Sequence, residues 1–284
     1  MILKFFREND FYAWIEYNED TPFFIKMRVL YGCMFASLLY SSEAWGDLKK
    51  IENTLLTIES KALKRCLGVK SGTTNDLIYQ ELDRPDIVAI IKDTQYNFSR
   101  KINNTKNDEA LMKEIWNLCL IQQDTNLCQY YRNLHENNSS LNVTERRSRL
   151  QTSESTMIIQ YRSIIGFTYP HLLYNSCLDD IKRTTITRWR LSSHKLRIET
   201  GRYTIPKTNL ESRTCKICSI IEDEEHSIYK CQAHNRIREK YMQSLDFENI
   251  NLPNFFNPKS VVIANYTAKF LKEIEKNMED LDMI

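Results

Sequence analysis

The hydrophobic positions of this chain recur at steps of three and four over long stretches, the period of an amphipathic helix. The clearest case is residues 48–67, where Ile51, Leu55, Ile58, Ala62 and Cys66 share one face and Gly68 follows as the C-terminal cap. Residues 23–45 are apolar with small residues (Gly32, Ala36, Ser37) and predict a buried helix. Thr74, with Asn75 and Asp76 behind it, starts a short helix through Leu82. Pro85 opens the next, which turns Ile87, Ile91, Phe98 and Ile102 inward. Residues 107–128 repeat the pattern through Leu111, Ile115 and Leu118. Residues 157–178 form a second apolar block, 226–245 predict a helix, 252–258 read as irregular, and 266–278 are amphipathic ahead of an acidic tail.

This pattern places the chain in the mainly α class, and six Gly and six Pro are few enough in 284 residues to agree. The length suits two ordinary domains. Residues 133–156 are polar and turn-rich, with Asn137-Asn138-Ser139-Ser140 at their centre, and predict a linker. The division that follows is an aromatic N-terminal segment (1–21), a helical unit (22–132), the linker, a basic cysteine-containing unit (157–248), and a C-terminal helix with an acidic tail (249–284).

Cys215, Cys218, His226 and Cys231 have the spacing C-x2-C-x7-H-x4-C. A C-x2-C turn aims two thiolates at one centre, and a His and a Cys further on complete a tetrahedron around Zn²⁺. Four protein ligands leave no position for water, so the expected role is structural. Such a site supplies about 10 kcal/mol or more of folding free energy. His234, three residues past Cys231, is an alternative to His226. Cys33, Cys66, Cys119, Cys128 and Cys177 fall in apolar helical patterns and read as small core residues.

The formal net charge of +2 says little, but its distribution is uneven. Residues 182–213 carry nine Lys or Arg against two Glu. Arg188, Arg190, Lys195, Arg197 and Arg202 are interleaved with Trp189, His194 and Tyr203, which gives phosphate-neutralising cations beside rings that can stack on unpaired bases. The candidate partner is RNA or single-stranded DNA. The competing reading makes Trp189, Leu191, Leu196 and Ile198 core residues with solvated charges between them. No basic stub, apolar block and cleavage site opens the chain, and the longest apolar run, residues 29–40, is short of the ~20 residues that span a bilayer. An intracellular protein with reduced cysteines is expected, nuclear or cytoplasmic, with no membrane partner.

Two stretches resemble a known family. Arg188-Trp189-Arg190-Leu191-Ser192-Ser193-His194-Lys195-Leu196-Arg197-Ile198-Glu199-Thr200-Gly201-Arg202-Tyr203, then Pro206 and the cysteine cluster with Glu222, Asp223 and Glu224, is similar to the C-terminal cysteine-histidine region of non-LTR (LINE-type) retrotransposon reverse transcriptases. Leu39-Tyr40-Ser41-Ser42-Glu43-Ala44-Trp45-Gly46, with Leu48, Ile51-Glu52 and Ala62-Leu63-Lys64-Arg65-Cys66-Leu67-Gly68-Val69, resembles the thumb-side region of the same polyproteins, in the same order. Together they cover about residues 22–102 and 185–240. The resemblance implies a helical thumb-like bundle followed by a small zinc-stapled unit, of transposable-element origin. The family's polymerases hold two metals on paired palm aspartates. Here Asp179-Asp180 is the only such pair, on the wrong side of the thumb-like segment and without the family's Ala-Asp-Asp context, and it reads as a helix start or surface pair. The expectation is therefore a non-catalytic nucleic-acid-binding remnant. The alternatives are a zinc-stabilised protein-interaction module and a fragment of a complete RNA-directed DNA polymerase.

Overall fold

The computed structural model describes residues 21–103, 114, 150–165, 171–175, 178–247 and 249–282. Helices account for nearly all of the regular structure among them, and the one β feature is an isolated antiparallel bridge between Thr214 and Ile221. The elements are α1 (Phe23–Val29), α2 (Ala36–Leu39), α3 (Glu52–Leu67), α4 (Asn75–Leu82), α5 (Ile87–Asn103), α6 (Thr156–Ile164), α7 (His171–Asn175), α8 (Asp180–Arg190), α9 (Arg197–Thr200), α10 (Asn235–Tyr241), α11 (Leu252–Phe256) and α12 (Val261–Asp282). The helix expected over residues 107–128, most of the expected linker, and Cys119, Cys128 and Cys177 lie outside the described residues.

Helix α3 shows why the strongest period gives a helix. Leu55, Ala62, Leu63, Cys66 and Leu67 are buried, while Lys61 and Arg65 face solvent. Gly68 ends it at φ 69°, with its own N–H on the Arg65 carbonyl and the Val69 N–H on that of Lys64. Glycine is required twice over there: by the left-handed backbone, and because a Cβ would lie 2.6 Å from Thr184 Cγ2 of α8. Thr74 precedes α4 as expected. Inside α5 the buried face takes Gln95 and Ser99, while Phe98 is only partly covered. Gln95 earns its place by donating to the carbonyls of Ser42 and Gly46, at 3.0 and 3.1 Å.

Elsewhere the packing departs from the sequence pattern. Residues 23–45 are not one helix. α1 passes into a π-helical stretch, Leu30–Phe35, before α2, and Ser41 turns the chain at φ 56°. Cys33 is exposed on that stretch rather than buried, because the wider π turn rotates it out while Leu30, Met34 and Phe35 go in. Residues 252–258 contain a helix, α11: Asn251 Oδ1 accepts from the Asn254 N–H, and Pro253 sits in the first turn, where its missing N–H has no cost. The C-terminal helix is longer than expected and absorbs most of the acidic tail.

The early and late segments share one hydrophobic core and are joined by buried charge. Arg190 of α8 and Glu81 of α4 are both fully buried, with Arg190 Nε 2.6 Å from Glu81 Oε1. Tyr161 and Tyr174 donate to the same carboxylate at 3.0 and 2.9 Å, and Arg190 Nη1 reaches the Phe256 carbonyl and Asn257 Oδ1. A second pair, Lys26–Asp180 at 2.8 Å, ties α1 to the start of α8. Removing one partner of a buried pair strands the other charge, at about 3–5 kcal/mol. Glu81→Leu is therefore expected to lower the unfolding free energy by about that much, and the Glu81→Leu/Arg190→Met double variant by less than the sum of the two single changes. Urea unfolding of the four proteins checks this, and strict additivity contradicts the coupling.

Candidate metal centre and the basic segment

The cysteine cluster is built from a knuckle and a broken helix. Cys215 and Cys218 lie on a tight turn closed by the Ser219 N–H on the Cys215 carbonyl and the Cys215 N–H on that of Ile220, with Ser219 at φ 56°. The Thr214–Ile221 bridge closes its base. The helix expected over residues 226–245 is interrupted. His226–Lys230 is a π-helical turn, Cys231 is extended (φ −63°, ψ 122°), Gln232–His234 is a 3₁₀ turn, and only then does α10 begin. The break at Cys231 turns its thiol back toward the knuckle. Asp223 Oδ1 accepts from the His226 N–H at 2.7 Å and fixes the entry to that turn.

One ligand atom from each of Cys215, Cys218, His226 and Cys231 lies within 4.8 Å of all the others. Cys231 Sγ is 3.8 Å from Cys215 Sγ and 3.9 Å from Cys218 Sγ. A tetrahedral centre with metal–sulfur bonds of about 2.3 Å has an S···S edge of about 3.8 Å, so the donors stand at coordination spacing. His226 is 3% exposed, and neither ring nitrogen has a hydrogen-bond partner. An imidazole buried with both nitrogens unpaired fits a missing ligand bond. Burial holds its pKa below the usual histidine value, which keeps it neutral and able to coordinate. His234 does not replace it. Its Nδ1 faces the Ser227 carbonyl at 2.9 Å, and it is outside the ligand group.

The outer shell braces the cluster: the Gln232 N–H points at Cys218 Sγ, and Arg238 donates to the carbonyls of Cys231 and Ile228. Without a cation, burial together with the neighbouring Cys215 thiol pushes the Cys231 thiol up to about 12. Metal binding must therefore displace protons.

The basic segment is mostly turned inward. Trp189 is 1% exposed, donates Nε1–H to Glu275 Oε1 at 2.9 Å and packs against Phe256 and His194. A base cannot stack on it while the fold is intact. Arg190 belongs to the Glu81 pair, and buried His194 faces Glu224 Oε1 at 2.8 Å. Burial alone would raise the Glu224 carboxyl, but the hydrogen bond and charge of His194 outweigh it and hold the group below its ordinary range. Arg197 and Arg202 are half-buried. The first reaches the Thr214 carbonyl and lies beside Glu222, and the second reaches Gln160 and Glu199. Arg188, Lys195 and Tyr203 face solvent.

Sequence reasoning missed Lys64 and Lys70, which the fold brings to the exposed residues. Arg188 Nε donates to the Gly68 carbonyl at 2.7 Å, Lys70 Nζ to the His194 carbonyl at 2.7 Å, and Lys64 Nζ to the Ser71 carbonyl at 2.8 Å. Tyr203 lies over Gly72, where a Cβ would come 3.2 Å from the phenol oxygen. Nothing local marked the two lysines, since about 120 residues separate them from the basic segment.

Asp179 and Asp180 are both engaged. Asp179 caps α8 by accepting from the Ile181 and Lys182 N–H groups, and Asp180 pairs with Lys26 and Arg183. The pair starts a helix. No protein-family model, curated protein or solved structure matches this chain.

Purified protein is expected to carry one metal equivalent per chain, and chelation to open the region around residues 215–241 to protease. Apparent metal affinity should rise from pH 6 to pH 8, because the metal-free state holds thiol protons that the bound state has lost. Elemental analysis and chelator competition at the two pH values test both statements. Negligible metal, or affinity falling as pH rises, contradicts them.

Proposed function

We propose that this chain is a zinc-stapled, mainly helical protein that binds RNA or single-stranded DNA without catalysis, and that it descends from the C-terminal part of a non-LTR reverse transcriptase. Three thiolates and an imidazole at tetrahedral spacing support zinc, with no position left for substrate. The two ordered motifs support the origin, with residues 22–132 on the thumb side.

The observation that carries the nucleic-acid reading is the solvent-facing band of Lys70, Arg188 and Lys195, with half-buried Lys64 beside it and Tyr203 at its end. Lys195 is partly neutralised by Glu279. Among the described residues Arg188 uses only Nε, on Gly68, which leaves the outer face of its guanidinium for phosphate. Tyr203 is 52% exposed and offers a ring for base stacking. Cations and one ring supply affinity without sequence readout.

A second reading has its own observation. Ile217, Ile220 and Ile221 stand 48%, 49% and 38% exposed around the metal knuckle. Such apolar exposure suits a protein-docking surface, with the metal as scaffold alone.

Fluorescence anisotropy on a labelled single-stranded 20-mer across a salt series separates the two. Wild type should bind with little sequence preference. The Lys70→Ala/Arg188→Ala variant should flatten the log K against log salt slope by about 1.4, at ~0.7 per phosphate contact. Tyr203→Ala should cost about 1–3 kcal/mol of binding. Trp189→Ala should instead lower the melting temperature. Absence of binding at low salt gives the reading to the docking surface.

Non-catalysis has a separate check. Primer extension on a poly-rA template with Mg²⁺ or Mn²⁺ should give no incorporation. Incorporation that persists through purification would restore the polymerase-fragment reading.

A further inference from the structure

Helices α10 and α12 leave between them a groove of about 590 Å³ that neither the metal centre nor the basic band uses. Its wall on α12 is a row, Tyr266, Lys269, Lys272 and Lys276, and Lys240 stands on the α10 side. The three α12 lysines are exposed, and among the described residues no ion pair ties them down. The groove's one carboxylate is already taken: Glu273 lies 2.6 Å from Lys240 Nζ and accepts from the Tyr241 hydroxyl at 2.7 Å. Burial would raise that carboxyl, but these two donors and the charge of Lys240 outweigh it and hold it below the ordinary glutamate range. It stays an anion, in contact with Lys240 and also held by the charge of Lys276, and four lysines against this one glutamate leave the groove a net +3.

The row works against the helix that carries it. Lys269 and Lys272 are three residues apart, and Lys272 and Lys276 four, so like charges are neighbours on one face, which destabilises a helix. Of the helix's carboxylates Glu273 shares this face, while Glu275 accepts from Trp189 and Glu279 pairs with Lys195. Helical rise puts Lys269 and Lys276 about 10 Å apart along the axis, the run of two to three successive phosphates. Tyr266 closes the row with a ring 36% exposed and without an aromatic neighbour among the described residues. A cationic groove with an open ring at one end is how single strands are held without sequence preference.

We propose that the α10–α12 groove is a second contact for single-stranded nucleic acid, engaged by strands long enough to run beyond the Lys70–Arg188 band. The inference rests on the nucleic-acid reading of that band, and the experiment separates the two. A charge-reversal variant, Lys269→Glu/Lys272→Glu/Lys276→Glu, is compared with wild type, with the Lys70→Ala/Arg188→Ala variant, and with a control that reverses three exposed lysines elsewhere, Lys49, Lys50 and Lys101. Each is measured by anisotropy on labelled single-stranded 6-mers and 20-mers across a salt series, and by photo-crosslinking of a bromodeoxyuridine 20-mer read by mass spectrometry. All the replaced lysines are exposed, and melting curves check that each variant folds.

The groove variant should bind the 20-mer at least tenfold more weakly than the control variant. Its salt slope should be flatter by up to about two, at ~0.7 per contact, while its 6-mer affinity stays within about twofold of the control. The wild-type crosslink at Tyr266 should disappear, and a Lys→Arg version of the triple change should keep it. Equal 20-mer binding, slope and crosslinking in the groove and control variants would overturn the groove proposal and leave the band in place. Loss confined to the groove variant, with the band variant binding as wild type, would keep the groove and remove the band. No binding by wild type to either length removes both.

Discussion

Arg190 has no exposed atom that matters, and its charge is tolerable in the core because Glu81 meets it 2.6 Å away. Everything that packs around this pair must also satisfy it. Tyr161 and Tyr174 spend their hydroxyl hydrogens on the Glu81 carboxylate, and the end of α11 supplies the Phe256 carbonyl and Asn257 Oδ1. Helices α4, α6, α7, α8 and α11 are thereby oriented by one ion pair, to within the tolerance of a hydrogen bond. A purely apolar core would hold these helices together but would constrain their rotation less, since hydrophobic burial has no direction.

That pair also explains why charge density along the chain is a poor guide to the molecular surface. Of the cations between residues 182 and 213, Arg183, Arg190 and Arg213 are buried, and each is bound to carboxylates or carbonyls. The acidic run at residues 222–225 is used the same way: Glu222 accepts from the Arg197 N–H, and Glu224 holds His194 and Gln160. Arginine suits this role because its planar fork can satisfy several acceptors at once without losing its charge. What remains for solvent is a smaller set of cations drawn from distant parts of the chain.

The Cys3His cluster obeys a different logic. Its four donors lie within 17 residues, so local turns bring them together: the knuckle at Cys215–Cys218, the Asp223 hydrogen bond ahead of His226, and the extended break at Cys231. The long α12 then packs along α8 and beside α10, joining the cluster to the core through the Asn277 bond to the Ala233 carbonyl and the aromatic group around Phe270.

The helical class, the cap at Gly68, the start of α4 and the clustering of Cys215, Cys218, His226 and Cys231 were legible because each depends on nearby residues. Backbone caps, amphipathic period and C-x2-C turns are local physics. The breaks were not legible from the hydrophobic period. The π turn at Leu30–Phe35 and the interruption at Cys231 answer to packing and to the convergence of thiols, and apolar spacing carries neither. The Asn251 cap of α11 was in the sequence, but the short helix behind it was outweighed by its irregular spacing. Which way Trp189, Arg190 and His194 point was beyond the sequence altogether. An Arg-Trp-Arg run reads equally well as a surface or as a core edge, and only the arrival of Glu81, Glu224, Glu275 and Phe256 from distant segments turned it inward. The sequence determined how each segment folds by itself. Tertiary structure decided which charges meet, because a charge is buried or exposed according to the partners that long-range packing brings to it.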